Sequence, residues 1–211
     1  MSSFIRRCGI ALVVGGVLLI AINVIISPSY LRLLEQGEAV FRTSQPYLIR
    51  LSAALVDAVL LLVGCVGLHL AQKHVSGKFG AAAFAVSFLG TCLLVAVEWS
   101  NLFVLRAVAQ TSPEVLERLG DSVLVTAGFA SGAVLFMLGW LLLSASLWQS
   151  KVLPSWAAVT TAAGLLAIPA LGATPLGQNG QIVGNVIFGV GLVGLGRALT
   201  KTQDRVELTS P

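Results

Sequence analysis

Two carboxylates interrupt long apolar runs, Asp57 within LSAALVDAVLLLVGCVGLHLA and Glu98 near the end of a run that begins at Phe79. An ionisable side chain inside a bilayer is costly, and it is kept where it meets a partner, a ligand or a proton. Asp57 stands six residues past Leu51, about 9 Å along a helix. Asn101 follows Glu98 by three positions, a spacing that puts both on one helical face. Asn23, Thr126 and Asn185 occupy the same end of three further apolar runs. Five of six runs thus carry a polar group at similar depth on one side. Arg50 and Arg106 flank that layer. The chemistry such a layer supports is an outward-opening polar cavity for a small polar ligand, a lipid headgroup or a proton. Asp57 and Glu98 would form its floor, Arg50 and Arg106 its rim and the outer amphipathic helices its cover, with Asn23, Asn101 and Asn185 as further candidate ligand-binding residues. The plainer reading is that polar groups approach an interface. Glu98 then sits among headgroups beside Trp99 and pairs with Arg106 or faces water, while Asp57 is hydrogen-bonded between helices.

The elements that must position these residues follow from apolar run length. The chain has 211 residues, 56% hydrophobic and 10% charged, against about 25% charged in a soluble domain. Mean hydropathy is +0.93. These values exclude a water-soluble globule and a disordered chain. Six spans are expected, over 8–26, 51–71, 79–105, 123–148, 155–173 and 182–199. They make a single all-α transmembrane domain over 1–199, a six-helix bundle, followed by a short tail from 200 to 211. The run after Arg6-Arg7 is too long for a signal-peptide core and lacks a small-residue cleavage pattern, so it reads as a retained first helix.

Basic residues orient the bundle. With the N-terminus in the cytoplasm, eight of the 13 Lys and Arg residues lie inside, including every lysine. Arg32, Arg42, Arg50, Arg106 and Arg118 lie outside. The expected location is the bacterial inner membrane with both termini cytoplasmic. The first two outer loops read as short interfacial helices. One carries Tyr30, Leu34 and Phe41 among charged residues and is weakened at Gly37. The other starts at Ser112-Pro113 and ends at Gly120.

Other chemistries lack their residues. Cys8, Cys65 and Cys92 have no CxxC spacing and read as small buried hydrophobes. His69 and His74 share one short segment, unsuited to a bis-histidine haem, and no metal-ligand spacing accompanies them. No phosphate loop or nucleophile elbow is present, and Ser87, Ser131, Ser144 and Ser146 have no evident base at their depth. No cofactor, metal or catalytic residue is expected. The net charge of +4 is scattered, which points away from nucleic acid. The partners expected are the bilayer, a small polar ligand or lipid headgroup, and a further membrane subunit or second copy. GVGLVGLG, from Gly189 to Gly196, offers small residues for helix packing.

Three stretches carry a family resemblance: RRCGIALVVGG from Arg6, YLIRLSAALVDAVLLL from Tyr47, with Asp57 seven residues after Arg50, and GAVLFMLGWLLLSASLWQSKVLPSWAAV from Gly132. Together they bracket the chain to about Leu166. The sequence resembles a broad group of bacterial six-helix membrane proteins defined only as a domain of unknown function. Trp156-Ala157-Ala158 stands where such proteins often begin the next helix with glycines. The resemblance implies the six-helix architecture and brings no activity. Three functions therefore stand open: binding or transport of a small ligand through the outer cavity, an accessory subunit packing through an exposed small-residue stripe on the sixth helix, and an embedded lipid-modifying enzyme using Asp57 and Glu98 as acid and base.

Overall fold

The computed structural model describes residues 2–34 and 37–209, with side chains left undescribed at 2, 30–32, 34, 117 and 202–209. The expected contributions of Tyr30, Arg32, Leu34, Glu35, Glu117 and Arg205 lie outside that description. Among the described residues every regular element is helical. In chain order these are α1 (Ser2–Ala21), a π-helical segment (Ile22–Ile26), α2 (Ser27–Leu34), α3 (Glu38–Thr43), α4 (Gln45–Gln72) and α5 (Gly77–Trp99). A second π-helical segment (Ser100–Leu105) leads into α6 (Arg106–Thr111), followed by α7 (Pro113–Gly120), α8 (Val123–Ser150), α9 (Ser155–Gly172) and α10 (Gln178–Thr209).

Among the described residues, six stretches are long and apolar enough to cross a membrane: Ser3–Ser29, Gln45–Gln72, Gly77–Thr111, Val123–Ser150, Ser155–Gly172 and Gln178–Lys201. The chain is a multi-pass membrane protein. The helices outrun the apolar runs at several ends, because polar residues continue a helix once it leaves the hydrocarbon. Gly37 does more than weaken the first loop helix. It adopts φ +109°, closed to side-chain-bearing residues, and so separates α2 from α3. Ser44 then caps α4, its hydroxyl accepting from the Tyr47 N–H, with Pro46 in the first turn. α7 ends at Gly120 as expected, but Gly120 is its last helical residue and does not take the left-handed C′ conformation.

The spanning helices form a closed ring. Each packs on its neighbours in chain order, and α10 closes against α1. Both described chain ends lie on one face, called here the terminal face; the opposite one is the far face. Lipid tails are as apolar as leucine, so helices associate by close approach. Glycines provide it. Gly9 and Gly16 of α1 meet Gly196 and Gly189 of α10 in antiparallel register. A Cβ on Gly9 would stand 2.8 Å from the Gly196 carbonyl oxygen, and one on Gly16 would stand 2.7 Å from that of Gly189. Gly184 and Gly191 meet Ile168 and Thr161 of α9 in the same way. The small residues of the sixth span are therefore consumed inside the bundle. The exposed stripe expected there for an accessory subunit is absent among the described residues.

The interior of the ring is filled. Trp140 of α8 and Phe188 of α10 meet edge to face across it, with centroids 5.8 Å apart, and Phe136 joins them. Leu12, Leu61, Leu68, Leu192 and Leu195 pack around this group with almost no exposure. Trp148 and Trp156 near the terminal face and Trp99 toward the far face are more than half exposed, as interfacial aromatic belts require.

Candidate functional site

The far-face ends of two spans depart from the α-helix. Each contains a π-helical segment, and each segment carries one of the asparagines singled out above, Asn23 and Asn101. A π segment adds a residue to the turn and rotates everything beyond it. In the first, the Ser27 hydroxyl donates to the Ile22 carbonyl at 3.2 Å and Asn23 Nδ2 donates to the Leu19 carbonyl at 2.9 Å. These side chains thus satisfy the local backbone.

Asn23, Ser27, Arg50, Gln178, Gln181 and Asn185 converge on a polar cavity of about 60 Å³ between the first π-helical segment, α2, α4 and α10. That is room for an ion or one to two waters at roughly 30 Å³ each, far below the size of a metabolite. Asn185 Nδ2 donates to the Gln181 carbonyl one turn earlier on its own helix. The sequence reading missed Gln178 and Gln181. Their spacing to Asn185, i, i+3 and i+7, was the available signal for one helical face.

Arg50 connects this cavity to the carboxylates. On α4 it precedes Asp57 by two turns on the same face, about 10 Å along the axis. Glu98 on α5 feels the charge of Arg50, and Asp57 feels the charge of Glu98. The three side chains form an electrostatic column descending into the membrane-spanning layer. Asp57 is 4% exposed. A Cβ on Gly15 of α1 would lie 3.1 Å from its Oδ1, so a glycine leaves the space that the carboxyl occupies. Asp57 Oδ1 and Glu98 Oε2 are both buried without a hydrogen-bond partner. Leaving a charged oxygen unbonded in apolar surroundings costs several kcal/mol at the least. Asp57 therefore is not held as hydrogen-bonded glue through Oδ1.

Asn101 and Arg106 belong elsewhere. The Arg106 guanidinium donates to the carbonyls of Arg42, Thr43 and Ser44 at 2.9, 2.9 and 3.2 Å. It caps the C-terminus of α3, where carbonyls lack helical donors and the helix dipole favours a cation. Its expected places, at the cavity rim or paired with Glu98, are both corrected; the cation that acts on Glu98 is Arg50. Asn101 Oδ1 accepts from Arg42 Nη1 at 3.4 Å. It lies in the π segment that starts at Ser100, and its partner is on α3. It lines a second, larger cleft of about 470 Å³ together with Glu38, Arg42 and Thr126. The polar layer thus divides in two: Asn23, Arg50 and Asn185 with the carboxylates below, and Asn101 and Thr126 in the separate cleft.

Toward the terminal face, the buried polar groups are neutral and mostly engaged. Trp140 Nε1 donates to Thr91 Oγ1 at 3.0 Å, Cys65 Sγ donates to Ser87 Oγ at 3.3 Å, and Ser146 donates to Gln72 Oε1 at 3.1 Å. His69 stacks on Phe84 with centroids 4.1 Å apart. Gln72, fully buried, gave no sequence signal, because it stands at a span end where a glutamine normally faces water.

No family model matches the chain, and neither a curated protein nor a solved structure matches it.

Proposed function

We propose that this chain is a non-enzymatic protein of the bacterial plasma membrane, with cytoplasmic termini, that takes one positive charge from the outer aqueous phase into the Glu98–Asp57 layer. The lysines on the terminal face support the orientation, and the family resemblance supports a bacterial source. The observation that carries the reading is Asp57, 4% exposed with an orphaned oxygen, beside the half-buried Glu98, whose Oε2 is also orphaned. Among the described residues, two carboxylates and one guanidinium are electrostatically linked in this column. A buried charge left uncompensated is strongly unfavourable, so the layer calls for one more positive partner. The cavity at Arg50 has the volume of an ion or a short water chain, which matches a proton or a small monovalent cation and excludes a metabolite.

The test is infrared difference spectroscopy on the purified protein, titrated in pH with sodium, potassium or choline as the salt. A carboxyl band that titrates reversibly is expected, absent in Asp57→Asn and displaced in midpoint in Glu98→Gln. If sodium or potassium shifts the same band relative to choline, the charge is a cation; if the salts are equivalent, it is a proton. A wild-type spectrum identical to that of Asp57→Asn would sink the reading.

An accessory-subunit role is the second reading, and one observation favours it. Ala127, Gly128 and Ser131 of α8 are exposed, and nothing approaches within 4 Å of a Cβ placed on Gly128. That is a small-residue face of the kind helices use to pair in lipid.

A further inference from the structure

The larger cleft lies apart from the Asp57 column, and its two ends differ in chemistry. One end holds an ion pair. Arg42 Nη2 and Nε donate to Glu38 Oε1 at 2.8 and 2.9 Å, while Arg42 Nη1 lies 3.4 Å from both Tyr47 Oη and Asn101 Oδ1. The Arg42 side chain is 16% exposed and that of Glu38 is 48% exposed. The guanidinium is thus fixed in the wall, and the carboxylate faces outward. The other end is apolar, formed by Leu105, Leu116, Phe129 and Ala133. This wall exists because the first part of α8 stands away from the bundle: no residue from Val123 to Ser131 is buried. Trp99 and Phe103 face outward beside Asn101 and mark the depth at which the hydrocarbon meets the headgroups. The volume, about 470 Å³, falls in the range of small-ligand sites, about 300–1,000 Å³.

An occupant must bring an apolar body at hydrocarbon depth and a headgroup that meets both signs of charge. An anionic headgroup would meet Glu38 unfavourably, and a cationic one would meet Arg42 unfavourably. A zwitterion satisfies both. We infer that the cleft binds one zwitterionic phospholipid, its phosphate on Arg42, its ammonium on Glu38 and an acyl chain along Leu116 and Phe129.

The experiment offers purified full-length protein an equimolar mixture of phosphatidylethanolamine and phosphatidylglycerol of matched chains and counts retained lipids by native mass spectrometry. Wild type retains one phosphatidylethanolamine, preferred over phosphatidylglycerol by about tenfold, the worth of one charge-assisted hydrogen bond. Glu38→Gln, an exposed substitution that folds, loses that preference. Ala133→Phe fills the cleft and loses the lipid, whereas Val134→Phe, on the outer side of the same helix, keeps it. Equal or greater retention of phosphatidylglycerol by wild type overturns the proposal. So does equal retention in Ala133→Phe and Val134→Phe, which would mean annular lipid only. A lipid-free dimer that Ala133→Phe splits overturns it in favour of a contact between copies.

Discussion

The two parts of α8 are about equally apolar and have opposite fates. From Gly132 to Ser150 the helix lies in the bundle. Trp140, Leu143 and Leu147 have almost no exposure, and a Cβ on Gly139 would stand 2.6 Å from the Ser87 backbone nitrogen. From Val123 to Ser131, a stretch as apolar and as rich in small residues, nothing is buried, and Val123 and Leu124 are 80% and 85% exposed. In water the second stretch would have collapsed onto the first available surface. In lipid apolarity attracts nothing, and a helix packs only where a partner's contour receives it. Gly139 and Gly90 let α5 and α8 touch backbone to backbone. Beyond Trp99, α5 turns into a π segment and then into α6, the straight partner surface ends, and α8 loses its seat.

The sharpest way to break this contrast is to fill one glycine in each part of the helix. Gly139→Leu drives a side chain into the α5 backbone and should cost about 3 kcal/mol or more, read as a lost or much earlier transition in denaturant-induced unfolding in micelles. Arg106→Gln comes next. It removes the charged donors that tie α3 over the open half and should cost about 2 kcal/mol, read as faster tryptic cleavage after Arg42 with the α5–α8 contact intact. Gly128→Leu should change stability least, within about 0.5 kcal/mol, since open space receives the side chain. A large loss there would show that this face is packed against something in the membrane. If Gly139→Leu is as mild as Gly128→Leu, the two parts of α8 do not differ as described.

Much of the scaffold was legible from residue order. Span count and depth followed from run length, because a helix must stay apolar for the thickness of the hydrocarbon. The common depth of Asn23, Asp57, Glu98 and Asn185 was a matter of counting residues from span ends. Their lateral arrangement was not legible. Glu98 and Asn101 were placed on one face by α-helical spacing, yet Glu98 meets Arg50 while Asn101 meets Arg42 in the separate cleft. Arg106 looked like a rim charge because sequence shows its sign and depth, and says nothing of the three carbonyls of α3 that engage it. Glu38 and Arg42 were visible as an i, i+4 pair, and their cleft was invisible, since its other wall comes from α7 and α8.

The sequence by itself thus determined an all-helical, six-span protein and the layer at which its polar groups lie. Both are properties of single segments set against the fixed dimensions of a bilayer. Only the tertiary structure decided the ring order, the meeting of Asn23, Arg50 and Asn185 over the carboxylates, and the separation of Asn101 and Arg106 from them. The reason is rotational. About 100° separates successive residues of a helix, so one residue added in a π turn, or one glycine seating a neighbour, changes which side chains face each other while leaving every depth as it was.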